Sequence, residues 1–186
     1  MKHETNGPPE WLQGKFIVLV GLMGAGKTRL GRIIASSFSL PFIDADTEIE
    51  KAAGCSVREI FEQFDEPYFR DGERRVIQRI LSEKPAVLAT GGGAYMNKET
   101  QKDISQFGVA VWLRADLDLL ERRTQHRNAR PLLNKGNARK ILSGLIDTRY
   151  PVYSNAEITI DVGDETAPET ARKIIDALIN YNTADN

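Results

Sequence analysis

Short apolar runs alternate with amphipathic segments along this chain of 186 residues. Residues 16–20 form a continuous apolar, β-rich run, which is typical of a buried strand, and the apolar spacing after it predicts a helix over 27–38. The pattern predicts further strands at 41–43, 86–89, 109–113 and 157–161. It predicts a helix that begins after Ser56, a separate helix with Pro67 in its first turn, and further helices near 97–106, 116–124, 138–150 and 168–180. Because strands alternate with helices, we predict an α/β fold with three layers, in which helices cover both faces of a parallel sheet.

A glycine-rich segment, residues 21–28, lies between the first strand and the first helix; we call it the phosphate loop. Its sequence, Gly-Leu-Met-Gly-Ala-Gly-Lys-Thr, fits the pattern G-x-x-x-x-G-K-[ST] of nucleoside triphosphatases and kinases. The glycines permit backbone conformations in which successive N–H groups point at phosphate oxygens, and the helix that follows adds its dipole. In this pattern Lys27 reaches the β- and γ-phosphates, and the Thr28 hydroxyl holds Mg²⁺.

Two more polar segments follow predicted strands, at the edge of the sheet where ligands bind. Asp44 and Asp46 follow the second strand, and the triple glycine, residues 91–93, follows the third. If the chain stays extended, both carboxylates lie on the same side, and one could fix Mg²⁺ while the other orients an acceptor hydroxyl. Helix capping is the alternative for Asp46, because residues 47–50 look like a helix start. The triple glycine is either a flexible turn or a place where backbone N–H groups approach a ligand.

Several arginines are candidates for binding anions. Arg149 continues the apolar stripe of its predicted helix, so we expect it to face a pocket, a partner anion or the helix end, which Pro151 is expected to fix nearby. Arg70 precedes Glu73 by three residues, either as a surface ion pair or as a fork held to grip a carboxylate. The basic segment 122–130 is interpreted as a lid that supplies arginines to a phosphate, rather than as a solvated face.

Composition limits the partners and the compartment. The net charge of −1 argues against a basic nucleic-acid surface, and no apolar run approaches the length of a membrane span. The single cysteine, Cys55, cannot form an internal disulfide, which favours a reducing, cytoplasmic environment. We expect a flexible tail at 1–14, one domain at 15–182, a monomer, and no nucleic-acid or membrane partner.

In combination, the motifs resemble those of the shikimate kinase family over nearly all of residues 15–180. They are the phosphate loop, F-I-D-A-D at 42–46, F-R-D-G-E at 69–73, G-G-G at 91–93, R-P-L-L at 130–133 and R-Y-P-V-Y at 149–153. The resemblance implies a P-loop NTPase fold of the nucleoside-monophosphate-kinase type, with a five-stranded parallel sheet, a substrate-binding region at about 44–81 and a mobile lid at about 123–137. It also implies transfer of the γ-phosphoryl group of ATP to the 3-hydroxyl of shikimate, with Mg²⁺, in chorismate and aromatic amino-acid biosynthesis.

The resemblance further implies a role for individual residues. Asp46 would hold the substrate hydroxyls and act as or near the base, and Asp44 and Thr28 would hold Mg²⁺. Lys27 and Arg130 would contact the transferred phosphate, and the nucleotide would also contact Gly24, Ala25, Gly26, Thr28, Arg29 and Arg123, the last by stacking on adenine. The pocket for shikimate would consist of Asp46, Arg70 and Arg149, which bind its carboxylate or hydroxyls, together with Gly91, Gly92, Gly93, Phe61 and Phe69.

Two alternatives stay open at this point. One is another small-molecule kinase of the same architecture, such as a nucleoside monophosphate or gluconate kinase; Arg70, Arg149 and the triple glycine argue against it. The other is a nucleotide-binding protein without catalytic activity; Asp46 beside a complete phosphate loop argues against that.

Overall fold

The computed structural model of the protein describes residues 7–125 and 138–181. The strands are β1 (Phe16–Val20), β2 (Phe42–Asp44), β3 (Val87–Ala89), β4 (Gly108–Ala115) and β5 (Ile158–Val162). The helices are α1 (Lys27–Phe38), α2 (Ala45–Ala53), α3 (Val57–Gln63), α4 (Glu66–Leu81), α5 (Lys98–Phe107), α6 (Leu117–Gln125), α7 (Ala138–Tyr153) and α8 (Ala167–Asn180). Short 3₁₀ helices lie at Glu10–Leu12 and Ala94–Met96.

The five strands form one sheet in the order β2-β3-β1-β4-β5, and every neighbouring pair is parallel. The predicted α/β class and the five-stranded parallel sheet are therefore confirmed. All five residues of β1 are buried, as expected for a central strand covered on both faces. Because β2, β3 and β1 are adjacent in space, the three segments that follow them meet at one edge of the sheet.

The apolar residues form two separate clusters of very different size. The large core surrounds the sheet and contains β1, most of β4 and the inner residues of α1, α6 and α8. The small core consists of Ile49, Ile60 and Phe69, with Cys55 and Phe61 among the half-buried residues packed against it. The small core joins α2, α3 and α4, which lie within residues 44–81, the range predicted to form a substrate-binding region.

Local capping signals explain where several helices begin. Ser56 and Glu59 form the predicted capping box of α3, and Pro67 lies in the first turn of α4 as expected. The predicted alternative that Asp46 caps a helix is wrong, because the capping residue of α2 is Asp44, whose Oδ1 accepts from the Asp46 N–H at 3.1 Å. The chain therefore does not stay extended through Asp46, which lies in the first turn of α2.

Helix α7 runs further than its sequence predicts. Pro151 lies inside the helix, which continues to Tyr153, so the expected end near Pro151 is wrong. A proline in the last turn removes one backbone donor without ending the helix. The extra residues matter because Tyr153 lies four positions after Arg149, on the same side of the helix.

Part of the segment predicted to be a flexible tail packs onto α8. Leu12 is buried, and the Trp11 indole donates to the carbonyl oxygen of Leu178 at 3.1 Å, with its ring 5.0 Å from that of Tyr181.

Throughout residues 7–125 and 138–181, the helices are too short or too polar to cross a membrane.

Candidate active site

The phosphate loop needs glycine for its backbone conformation. Gly21, Gly24 and Gly26 have φ angles of 145°, 87° and 99°, which other residues rarely adopt. Space is also limited, since a Cβ on Gly21 would lie 2.8 Å from the carbonyl oxygen of Leu113, and one on Gly24 would lie 3.0 Å from the Thr124 methyl. The conformational reason predicted for these glycines is therefore confirmed.

The two polar side chains of the loop are already held in place. Lys27 Nζ donates to the carbonyl oxygens of Gly21 and Leu22 at 2.7 and 3.0 Å. The Thr28 hydroxyl donates to Asp44 Oδ2 at 2.9 Å, so the end of β2 and the start of α1 are joined. The structure thus brings together Thr28 and Asp44, the two residues predicted to hold a metal ion.

The triple glycine needs glycine for a different reason, which is room for side chains. Gly91, Gly92 and Gly93 do not have positive φ angles, unlike the three glycines of the phosphate loop. A Cβ on Gly91 would lie 2.7 Å from Glu73 Oε1 and 3.1 Å from Asp46 Oδ1. One on Gly92 would lie 3.2 Å from Arg149 Nη1, and one on Gly93 would collide with the Arg70 guanidinium. Four charged side chains from three helices therefore converge on this loop.

The pair formed by Arg70 and Glu73 is not a surface ion pair. Glu73 is only 2% exposed, and its Oε2 accepts from Arg70 Nη1 at 2.7 Å. Its other oxygen, Oε1, is buried without a hydrogen-bond partner among the described residues. Burial raises the pKa of Glu73, although Arg70 opposes the shift. Burial would lower the pKa of Arg70, but Glu73 and Glu66 outweigh it and raise that pKa, so Arg70 stays charged.

Arg149 points at the triple glycine and not at the end of its helix. Its Nη1 donates to the carbonyl oxygen of Gly92 at 2.7 Å. The Tyr153 hydroxyl donates to the same oxygen. Tyr153 belongs to the R-Y-P-V-Y motif, but no role was predicted for it. Its position one helical turn after Arg149 is the signal that indicates one.

The remaining predicted residues occupy three places. Arg123 donates to the carbonyl oxygen of Gly163 at 3.0 Å, just beyond β5, while Arg29 is exposed in the first turn of α1. The rings of Phe61 and Phe69 lie 4.6 Å apart in the small core, and the Arg70 guanidinium lies 5.1 Å from the Phe69 ring. Arg130 and most of the predicted lid lie outside the described residues.

Comparison with known proteins agrees with this geometry. The family described as shikimate kinase matches residues 23–179. The chain belongs to the shikimate kinase family. Membership in this family confirms the predicted ATP-dependent kinase activity and the resemblance stated above.

Individual relatives cover most of the chain. The shikimate kinase of Paramagnetospirillum magneticum is 48% identical over 168 residues, which are 90% of this chain and 86% of that protein. A solved shikimate kinase from Acinetobacter baumannii, in complex with shikimate, superposes with a TM-score of 0.85 at 37% identity, covering 95% of this chain and 94% of that one. A solved gluconokinase from Sinorhizobium meliloti 1021 has a TM-score of 0.62 at 19% identity, covering 89% and 91%, and shows the shared fold alone.

Proposed function

We propose that this site transfers the γ-phosphoryl group of ATP to the 3-hydroxyl of shikimate, giving shikimate 3-phosphate and ADP. The main support is the convergence of Arg70, Arg149, Asp46 and Glu73 on the triple glycine beside the phosphate loop. Two guanidinium groups at one loop suit a carboxylate, which guanidinium binds through paired hydrogen bonds. The Asp46 carboxylate, beside the triple glycine, suits a substrate hydroxyl, which can donate a hydrogen bond to it. Shikimate has both groups, and the Acinetobacter relative is described in complex with it.

On the nucleotide side, the phosphate loop binds the β- and γ-phosphates through its backbone N–H groups. Lys27 exchanges the carbonyl oxygens of Gly21 and Leu22 for phosphate oxygens when ATP binds. Gly24, Ala25, Gly26 and Arg29 surround the phosphates, Arg123 lies against the adenine, and Arg130 contacts the transferred group. The position of Arg123 beside Gly163, at the end of β5, supports its part of this assignment.

The residues at the end of β2 and the start of α1 fit Mg²⁺. Thr28 Oγ1 and Asp44 Oδ2 lie 2.9 Å apart, and both are oxygen atoms that can bind a metal ion. Mg²⁺ prefers oxygen ligands, and it is usually bound by one or two protein groups together with water and substrate phosphates. When bound, it neutralises the charge that develops on the phosphates.

On the acceptor side, Arg70 and Arg149 bind the carboxylate, and Gly91, Gly92 and Gly93 let these side chains approach the substrate closely. Asp46 orients the 3-hydroxyl and accepts its proton during transfer. Asp46 lies in the first turn of α2, directly after the end of β2. Phe61 and Phe69 form the wall of the pocket. The lid at 123–137, the monomeric state, the cytoplasmic location and the single domain at 15–182 stay predictions.

An ADP-release assay with MgATP tests the proposal, with shikimate, gluconate and nucleoside monophosphates offered separately. We expect turnover with shikimate alone. Turnover with another acceptor would keep the nucleotide side but discard the assignment of the acceptor pocket. Folded protein that binds ATP and turns over none of the acceptors would contradict the proposed function altogether.

A further inference from the structure

One carbonyl oxygen in the triple glycine accepts two hydrogen bonds from side chains. Arg149 Nη1 and the Tyr153 hydroxyl both donate to Gly92 O. A carbonyl oxygen has two lone pairs, so the two donors satisfy it fully. Both come from the last turns of α7, more than fifty residues away in sequence.

The tyrosine is the more rigid of these two donors. Tyr153 is fully buried, and its ring packs against those of Trp112, Tyr150 and Tyr95, with centroids 6.0, 6.2 and 6.4 Å away. Such packing holds a ring in one orientation and therefore fixes its hydroxyl. Arg149, by contrast, has a long side chain with many rotamers. Burial raises the pKa of Tyr153 to about 12, so its hydroxyl keeps its proton at neutral pH.

Fixing the Gly92 carbonyl also fixes the next N–H group. The carbonyl of Gly92 and the N–H of Gly93 belong to one planar peptide unit, in which they point in opposite directions. A donor that sets the direction of the carbonyl therefore sets the direction of the Gly93 N–H. The guanidinium of Arg70 packs directly against Gly93, and Arg149 is held at Gly92.

We propose that Tyr153 is a positioning residue for the acceptor: its hydroxyl orients the Gly92–Gly93 peptide and, through the shared carbonyl, Arg149, so that both meet the carboxylate of shikimate. This inference rests on the proposed function of the site. Tyr153 does not touch the substrate in this arrangement. Its effect is on acceptor binding, and the phosphate loop is not involved.

Tyr153→Phe removes this hydroxyl and keeps the ring. We expect the KM for shikimate to rise about three- to tenfold, which corresponds to one ordinary hydrogen bond. The KM for MgATP and kcat should stay within about twofold of the original values, because the loop that binds ATP is unchanged. Steady-state kinetics with each substrate varied in turn measure this split.

Tyr150→Phe is the matched control. Tyr150 is in the same aromatic group, with its ring 4.9 Å from that of Trp112, and its hydroxyl also donates to a backbone carbonyl, that of Ala115. Ala115 is the last residue of β4 and not part of the triple glycine. We expect Tyr150→Phe to lose about as much thermal stability as Tyr153→Phe, while its KM values for shikimate and MgATP both stay within about twofold of the original values.

Three outcomes would overturn the inference. They are an unchanged KM for shikimate in Tyr153→Phe, an equal rise in both KM values, and a Tyr153→Phe protein that fails to fold, since that would make the hydroxyl purely structural. Failure of the proposed function is a separate result, because the unmodified protein would then show no turnover with shikimate. In that case Tyr153 would have no acceptor to position, and the inference would fall with it.

Discussion

The phosphate loop and the triple glycine follow neighbouring parallel strands and are both rich in glycine, yet only the phosphate loop requires glycine for its backbone conformation. In the phosphate loop, φ angles between 87° and 145° exclude most other residues, so the constraint lies in the backbone. In the triple glycine, a Cβ at each position would press against a charged side chain, and at Gly93 it would collide with one. Backbone conformation requires glycine in the phosphate loop, whereas neighbouring side chains require it at residues 91–93.

This difference predicts different consequences of substitution. A backbone constraint cannot be relieved by moving a side chain, so its violation destabilises the fold and the nucleotide site together. A contact with the flexible end of an arginine or glutamate can be relieved by moving that end, which leaves the fold intact but displaces a binding group. The nucleotide side should therefore be coupled to stability, whereas the acceptor side should be separable from it.

The largest expected effect tests whether the acceptor side can be changed without changing the nucleotide side. Asp46→Asn keeps the shape of the side chain but removes the negative charge that orients the hydroxyl. We expect kcat to fall by about 10²- to 10⁴-fold, while the affinity for ADP, measured by calorimetry, is unchanged. Asp71→Asn, at an exposed carboxylate of α4 paired with Arg74 and Arg75, is the control and should retain turnover. Weakened ADP binding in Asp46→Asn would mean that the acceptor side cannot be changed without also changing the nucleotide side.

The backbone constraint is tested next, by Gly21→Ala. We expect a loss of about 1–3 kcal/mol in the free energy of unfolding, with lower ADP affinity, because φ is 145° and the new methyl would lie 2.8 Å from Leu113 O. Gly54→Ala is the matched control, since Gly54 also has a positive φ of 71° but no atom within 4 Å of its Cβ position. It should lose less, about 1 kcal/mol, with ADP affinity unchanged. Urea unfolding compares them, and equal losses would contradict the role of Leu113.

Gly93→Ala tests the constraint imposed by neighbouring side chains. The φ angle of −101° suits alanine, so we expect little change in the urea midpoint. The methyl would displace the Arg70 guanidinium, and the KM for shikimate should rise about tenfold, the loss of one charge-assisted hydrogen bond. Gly144→Ala, at an open helical position, should stabilise the protein by about 0.5–1 kcal/mol without changing either KM. A large loss of stability in Gly93→Ala would erase the distinction between the loops.

The smallest expected effect concerns Glu73, whose pKa is raised by burial from a usual value of 4.5. A carboxyl that holds its proton more tightly in the folded state supports stability fully at low pH, and this contribution is lost as pH rises from 4.5 through the raised pKa. Glu73→Gln removes this titration. We therefore expect its free energy of unfolding to decrease less between pH 4.5 and neutral pH than that of the unmodified protein. Urea unfolding at both pH values measures this, and identical pH dependence would show that Glu73 does not titrate there.

Much of the fold was predictable because the signals are local. The run at 16–20, the capping box at Ser56 and the phosphate loop each act within a few residues, and their positions are confirmed. The carboxyl edge of the parallel sheet then located the polar segments that form the candidate site.

The remaining features depend on contacts between distant parts of the chain. Glu73 looks like half of a surface pair until the triple glycine covers it. Pro151 looks like a helix end, although the last turn of α7 continues past it to Tyr153. The room that residues 91–93 leave for charged groups is visible only when α2, α4 and α7 are placed around them. Local spacing contains none of this information.

The small core of Ile49, Ile60 and Phe69 has a consequence for how the protein opens. Regions with few buried apolar contacts unfold locally at a lower free energy than the whole molecule, so amide protons in α2 and α3 should exchange with solvent while the sheet stays folded. A ligand that bridges α2, α4 and α7 binds only the closed form and raises the free energy of this local opening. Shikimate would thus slow amide exchange throughout α2 and α3, including at their residues that do not contact it, because the acceptor completes the folding of the region that binds it.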